Sequence, residues 1–508
     1  MRTLVVLCFG ALLGIVGLPY LLIRQPGLPA GTNVRSAELP YSEAELLVDR
    51  TRWDAGRERA EIDQRIFDAM LREIDAAETF LVADFFLWNP WMGALESGGG
   101  LRPLSEQLAD ALIAKRIRNP DMPMLVITDP INRLYGESEP AFFRRMAEAG
   151  IPVVFTDLDR LPDSNRLYAP QARFWKRFFQ PDASARAKGR FPNPFDPEGE
   201  KLGLDQMLRL LYFKANHRKV LVAGREEAPP RLIIGSLNPA DGSARHGNLA
   251  ALVTGPVAFH AAESELEVAR WSAENSGQVL GDRAVLERDL AGLRARLDRA
   301  GGVGEVGPGE PSVTYLSEGA IREALIEELN AAVRGTRIDA GIFYFSDRKV
   351  VGAMKSAVRR GAELRLLLDA NRDAFGREKN GVPNRPLAAE FMELAAGHTV
   401  EVRWAATRGE QYHAKALRIV GPRQDLLLLG SANWTRRNLA GLNLEANLLF
   451  RHPPEIGPDF DRYFERLWSN ADGITETLPY GDLAESGWSL RWKTWLYRFQ
   501  EWSGASTF

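Results

Sequence analysis

The 508-residue sequence predicts an α/β protein made of two loosely repeated halves, and three observations carry that expectation. Apolar runs alternate with amphipathic stretches, the order of a strand–helix architecture. The same succession of features occurs twice. A Gly-rich segment at 301–311 separates the two occurrences.

In the first half an amphipathic stretch at 62–71 leads into an apolar run at 79–88. A helix and a strand at 124–128 follow, ending on Asp129, and then a short strand at 151–155. The second half repeats this with 321–333, 338–345, a strand at 364–368 ending on Asp369, and a strand at 399–404. Between them, Leu286, Leu290, Leu293 and Leu297 fall on one face of a linker helix at 284–297. The first half carries an insertion at about 161–200, rich in Arg, Phe and Pro. It reads equally as a lid or lipid-facing loop and as a surface excursion. The expected divisions are a segment at 1–24, a linker at 25–59, a first repeat at 60–275, a second linker at 276–312, a second repeat at 313–470 and a Trp-rich tail at 471–508.

Composition narrows the function. A chain 45% hydrophobic and 26% charged is not disordered. With 64 Lys+Arg against 67 Asp+Glu the net charge is −3, which argues against a global nucleic-acid coat but leaves room for a local basic site. The lone cysteine, Cys8, excludes an intramolecular disulfide framework and thiol catalysis in the body. Cys8 lies in the uncharged run 3–23 between Arg2 and Arg24. That run reads as an uncleaved signal-anchor, a transmembrane helix holding the body on the exported, periplasmic or luminal, side of a membrane. At the other end Trp488, Trp492, Trp495, Phe499 and Trp502 share one helical face. That stripe is expected to dock on the core; the alternative is a helix lying among lipid headgroups.

The chemistry lies in two matching segments. Asn216-His217-Arg218-Lys219 is followed by Gly235-Ser236-Leu237-Asn238, and Tyr412-His413-Ala414-Lys415 by Gly430-Ser431-Ala432-Asn433. Each Gly comes eighteen or seventeen residues after its His. His and Lys two apart on a strand share a face, as do Ser and Asn, and a hairpin brings all four together. Lys charge, Asn amides and Ser hydroxyls can hold an oxyanion without a metal, while one His attacks phosphorus and the other supplies a proton. A lone His-x-Lys is usually a surface pair; two copies with the same sequel are not.

These residues resemble the phospholipase D superfamily, whose signature HxKxxxxD followed by GSxN occurs in two copies. The resemblance covers about residues 60–470. It implies two repeats, each a mixed sheet flanked by helices, packed face to face around one site, and phosphodiester cleavage or transfer through a phosphohistidine. It makes His217 the nucleophile and His413 the general acid, with Lys219, Lys415, Asn238 and Asn433 on the phosphate, assisted by Ser236 and Ser431. The signature's Asp falls on Gly224 and Val420, at the hairpin turns, where its loss bears on structure more than chemistry. Both hairpins are also longer than in the usual signature. Family members often place a carboxylate after GSxN to orient the His. Glu445 fits this twelve residues beyond Asn433, whereas the matching stretch Asn248-Leu249-Ala250 offers Ala. His413 is thus the better supported histidine and the nucleophile assignment is reversible, with Asp241 a possible acid for His217. His246, His260, His398 and His452 read as structural or surface residues. No cofactor or metal is required.

The expected function is that of a membrane-anchored phospholipase D-like enzyme acting on phospholipid headgroups. The alternatives are an anchored nuclease, with Arg436, Arg437 and the insertion lining a groove for nucleic acid, and a non-catalytic phospholipid-binding protein. No obligate protein partner is expected.

Overall fold

Apolar runs with both faces covered become the central strands of two sheets. The computed structural model describes residues 19–54, 59–92, 101–136, 139–176, 189–193, 201–299, 306–374 and 377–506. The first sheet contains β1 (Glu43–Asp54), β2 (Arg59–Gln64), β3 (Leu81–Phe85), β4 (Met124–Thr128), β5 (Val153–Phe155), β6 (Lys219–Ala223), β7 (Arg231–Gly235), β8 (Asn248–Thr254) and β9 (Val279–Leu280). Its order is β2-β1-β8-β7-β6-β3-β4-β5-β9. The second contains β10 (Ser312–Ser317), β11 (Arg337–Ile342), β12 (Glu363–Leu368), β15 (Val400–Ala405), β16 (Lys415–Gly421), β17 (Gln424–Gly430), β18 (Ala446–Arg451) and β19 (Thr477–Pro479); β13 (Asp373–Ala374) and β14 (Arg377–Glu378) form a separate small hairpin. Its order is β10-β18-β17-β16-β11-β12-β15-β19.

The inner six strands of each sheet follow the same path. β3-β4-β5 and β11-β12-β15 run parallel, and the hairpins β6–β7 and β16–β17 pair antiparallel beside them. On β3, Leu81, Ala83 and Phe85 face an outer helical layer and Val82 faces the other sheet. Every residue of that strand is buried, so the run shows no alternation in sequence. Helices Arg65–Ala76, Leu104–Arg118 and Ala141–Glu148 cover the outer face of the first sheet. Gly319–Ala331, Arg348–Arg359 and Asn384–Met392 do the same for the second. Between the sheets β7 and β8 meet β17 and β18 directly, and helices Val257–Ala273 and Ile456–Ser469 fill the remaining space. Full burial of each Val, Leu or Phe there contributes roughly 1.5–3 kcal/mol.

Part of the expected linker 25–59 belongs to the sheets. Residues 34–39 run along β10, with Ser36 N donating to Tyr315 O (3.0 Å) and Leu39 N to Val313 O (3.0 Å). β1 then pairs with β8. A strand rich in Glu, Asp and Arg carries a weak apolar signal, and pairing with the buried β8 supplies what periodicity lacks. The amphipathic stretch at 62–71 likewise splits, since residues through Gln64 complete β2 and the helix begins at Arg65.

The N-terminal transmembrane helix and the single-pass, exported location expected from residues 1–24 are corrected. No helix among the described residues is long and apolar enough to cross a membrane. The helical turn described at 19–22 spans roughly 6 Å against about 30 Å of hydrocarbon, and residues 1–18 lie outside the described residues.

The C-terminal helix Gly487–Ser503 departs from expectation as well. Its aromatic stripe faces outward, with Trp488 77% and Trp495 55% exposed, while Tyr497 and Glu501 are buried beneath. The polar underside does the docking. Ser346 Oγ donates to Glu501 Oε2 (2.6 Å), and Glu390 accepts from Arg348 (3.0 Å), Lys355 (2.8 Å), Arg498 (3.0 Å) and Tyr497 Oη. Burial works against the Glu390 carboxylate, but the hydrogen bonds from Arg348, Lys355 and Tyr497 prevail and hold it at about 2. Because this value lies below the ordinary 4.5, the clamp contributes fully above pH 4.5 and is lost as pH falls through about 2. Hydrogen exchange of the amides of Gly487–Ser503 should therefore accelerate over that interval before the amides of β6 and β16 respond. Glu390→Gln should show the same loosening at neutral pH.

Candidate functional site

Both His-x-Lys segments enter their hairpins at the junction between the sheets, where the halves exchange backbone hydrogen bonds. His217 N donates to Leu444 O (2.9 Å) and Leu444 N to Ala215 O (3.1 Å). Reciprocally, His413 N donates to Gly247 O (2.8 Å) and Gly247 N to Gln411 O (2.9 Å). These exchanges bring His217, Lys219, His413, Lys415 and Glu445 into one buried site, and Asn238 and Asn433 are buried just beyond the return strands of the two hairpins.

Each histidine is oriented from the opposite half. His217 Nδ1 lies 2.8 Å from Glu445 Oε1. His413 Nδ1 lies 3.1 Å from Asn248 Oδ1. The other ring nitrogen of each is left for chemistry. Ser431 Oγ donates to Glu445, and Ser236 Oγ to Asn248 Oδ1 (3.1 Å). The two serines expected on the phosphate are thus engaged with the residues that orient the histidines. Asn238 and Asn433 each keep a buried Oδ1 without a hydrogen-bond partner among the described residues. Gly235 and Gly430 are required by close approach, because a Cβ would overlap Ala250 in one case and the Ala446 carbonyl in the other.

The lysines sit on aromatic faces. Lys219 Nζ donates to His217 O (2.6 Å) and lies 5.1 Å from the Phe86 ring, which packs 4.8 Å from the His217 ring. Lys415 Nζ donates to His413 O (2.6 Å) and lies 5.0 Å from the Phe343 ring, itself 4.8 Å from His413. Buried acids at the strand ends fix the residue before each histidine. Asp129 Oδ2 accepts from Asn216 N (2.7 Å), and Asp369 Oδ2 from Tyr412 N (2.8 Å).

Burial, followed by the charges of Lys219, Lys415 and Arg437, holds His217 well below its ordinary range. Burial, Lys415 and His246 do the same for His413. Both rings are neutral near pH 7. Burial lowers Lys219 to about 7 and pushes Glu445 up to about 8, against the pull of Lys219 and of hydrogen bonds from Ser431 and Asn438. Two lysines desolvated in one pocket form a site whose charged state a bound anion stabilises.

Residues 325–468 match the family model described as cardiolipin synthase, PLD-like domain. That part of the chain, the second half, is thus phospholipase D-like in sequence. The fold of the chain is similar to that of phosphatidylserine synthase from Haemophilus influenzae Rd KW20, at 11% identity and a TM-score of 0.54 over 93% of this chain and 96% of that one. Nuc from Salmonella typhimurium, a phospholipase D family member, matches at 18% identity and a TM-score of 0.26 over 34% of this chain and 99% of its own. Polyphosphate kinase from Porphyromonas gingivalis matches at 12% identity and a TM-score of 0.43, covering 91% and 54%. No curated protein matches in sequence. The matched domain supports a phospholipase D-like phosphodiesterase or transferase.

Set against the superfamily signature, three expectations change. Glu445 attends His217 and not His413, so His217 is the histidine with the carboxylate. Asp241 is no partner of His217: its Oδ1 accepts from Ser105 N (3.0 Å) and Ser105 Oγ (2.8 Å). The counterpart of Glu445 is Asn248 and not Ala250, because Ser431 N pairs with Ala446 O as Ser236 N pairs with Leu249 O. Phe86 and Phe343 carry no signal in the sequence, and Asp129 and Asp369, read as matching strand ends, and His246, read as structural or surface, join the site as well, the His246 ring lying 6.0 Å from that of His413. For Asp129 and Asp369 the signal existed, a buried acid ending the matching strand of each half.

A neutral amide at His413 predicts a specific pH response. Asn248→Asp places a carboxylate against Nδ1 and raises the histidine by about 1–3 pH units. The basic limb of the kcat profile should then move up by at least about one unit for a substrate whose leaving group needs a proton. An unmoved limb would detach His413 from proton donation.

Proposed function

We propose that the protein cleaves or transfers phospholipid headgroups, with His217 as nucleophile and His413 as general acid and then base. The observation that carries this reading is the asymmetry of the histidine partners, a carboxylate on one ring and an amide on the other. The Glu445 carboxyl, pushed up to about 8, ionises as pH rises through that value and then accepts the Nδ1 proton of His217, leaving the Nε2 lone pair for phosphorus. The new P–N bond forms as the bond from phosphorus to the headgroup oxygen breaks, and that oxygen takes a proton from His413. Neutral Asn248 stabilises imidazolium less than a carboxylate does, which suits a ring that must release its proton. His413 begins neutral, so it takes up a proton from solvent as the substrate binds. The phosphodiester's negative charge between Lys219 and Lys415 offsets two of the cations that hold the ring low. Neutral His413 then deprotonates water or an alcohol, whose oxygen displaces His217 from phosphorus. Lys219, Lys415 and the amides of Asn238 and Asn433 hold the phosphoryl oxygens throughout.

The phospholipid substrate is supported by the cardiolipin synthase description of the matched domain and by the fold shared with a phosphatidylserine synthase. The test is to incubate the protein with phosphatidylglycerol, phosphatidylcholine or an oligonucleotide, with and without a primary alcohol. Phosphatidyl-alcohol formed in proportion to added alcohol is the expected result. Nucleotide release with no lipid product would overturn it.

A further inference from the structure

The outward aromatic stripe of the C-terminal helix is a surface the catalytic reading does not use. Its rings stack on one another in single file. Trp488 and Trp492 have centroids 6.1 Å apart, Trp492 and Trp495 5.1 Å, and Trp495 and Phe499 5.4 Å. The helix is not a core element displaced from its place, because Glu501 and Tyr497 tie its other side to Ser346 and Glu390 of the body.

This stripe adjoins other exposed apolar side chains. Arg166 N donates to Ser503 O (2.7 Å), at the end of the C-terminal helix. Ser164 Oγ donates to Tyr212 O (2.8 Å) and Asn165 Nδ2 to Leu211 O (2.8 Å), just beyond helix Leu204–Leu210, and Leu204 and Leu208 of that helix and Leu211 at its end are exposed. Tyr20 Oη donates to Leu167 O (2.7 Å), which brings exposed Leu21 and Leu22 to the same place. Three exposed apolar groups therefore meet at residues 164–167. The same residues border the site: Arg436 Nη2 donates to Ser164 O (2.8 Å), and Arg436 and Arg437 closely follow Asn433.

We infer that the C-terminal helix and the exposed leucines joined to it through residues 164–167 form a face that docks the protein on the surface of an anionic phospholipid bilayer, with the catalytic site at its edge. Charge favours that occupant. Beside the stripe the helix exposes Arg491 and Arg498, the latter half-exposed while paired with Glu390, and its single acid, Glu501, is buried underneath, in a protein whose net charge is −3. Trp suits a headgroup layer, with its ring in the acyl boundary and its N–H toward water. A row of rings stacked on one another offers few holes for the side chains of a protein partner. The inference leans on the proposed phospholipid substrate only for the advantage of docking, and the test separates the two.

Full-length protein is mixed with phosphatidylglycerol vesicles carrying brominated acyl chains, which quench Trp emission on contact. Residues 1–18 contain no Trp, so they add nothing to this signal. Strong quenching is expected, with at least about half of it lost in Trp488→Tyr/Trp492→Tyr/Trp495→Tyr, which retains an aromatic face but removes the reporters. Absent quenching, or quenching unchanged in that variant, would overturn the inference, as would self-association through the stripe in place of quenching. Trp488→Ser/Trp492→Ser/Trp495→Ser should lower turnover of vesicle lipid about ten-fold while turnover of a monomeric short-chain phospholipid stays within about two-fold. Equal losses on both substrates would contradict docking. Quenching without turnover of any lipid would uphold the face and discard the proposed substrate.

Discussion

His217→Ala should lower kcat/KM by about ten-thousand-fold or more, the scale on which removal of an attacking nucleophile acts. The ring does little else. It contacts Glu445 and packs against Phe86, while the backbone around it is held independently by Leu444 and Asp129. The variant should therefore fold, although Glu445 loses its contact to the ring. His217→Asn offers that carboxylate a replacement donor and should be equally inactive, which separates lost chemistry from a disturbed pocket. The loss should not recover with a substrate bearing a good leaving group, because attack and not leaving-group protonation has been removed. Steady-state rates with natural and activated phosphodiesters read all three expectations.

Arg218→Ala should have the largest effect on stability, a loss of about 3–5 kcal/mol. Arg218 lies between His217 and Lys219 on the opposite face of the segment and is fully buried. Its guanidinium reaches Glu318 at 2.7 Å and Glu265 at 3.1 Å. Glu318 comes from the second half and also accepts from Asn33 N (2.6 Å) and Glu445 N (3.1 Å). Removing the cation leaves two buried carboxyl groups without it, and it loosens the backbone of the residue that orients His217. Denaturant unfolding should report the loss in midpoint. Combining Arg218→Met with Glu265→Gln and Glu318→Gln should restore part of the stability, because the penalty comes from uncompensated charge more than from a missing contact. A triple variant no more stable than Arg218→Met would contradict that account.

The site was legible in sequence because its chemistry is written in short motifs. The Gly of each Gly-Ser-x-Asn ends the return strand of the hairpin begun by its His-x-Lys, so β6–β7 and β16–β17 could be read locally. What escaped was whatever depends on how the halves meet. Glu445 follows Asn433 in sequence, which suggested His413, yet backbone exchange at Leu444 carries it to His217. Asn248 escaped because the loop after Asn238 is two residues shorter than the loop after Asn433, and matching by residue names paired Glu445 with Ala250. Periodicity placed five aromatics on one helical face correctly but could not tell which way that face points; the buried polar contacts of Tyr497 and Glu501 decide it. Composition also made a membrane-spanning segment of residues 3–23, which no helix among the described residues supports.

The central claim is that the two histidines have different roles, with His217 carrying the phosphatidyl group. The most direct measurement uses a short-chain phosphatidyl-p-nitrophenol, whose leaving group departs without a proton. Each single variant, His217→Ala and His413→Ala, is mixed with it, quenched in denaturant and digested for peptide mass analysis. His413→Ala should release about one equivalent of nitrophenol in a burst and carry the phosphatidyl mass on the peptide containing His217, while His217→Ala should show neither burst nor adduct. An adduct on the His413 peptide in the His217→Ala variant, with none on His217 in the other, would contradict the account.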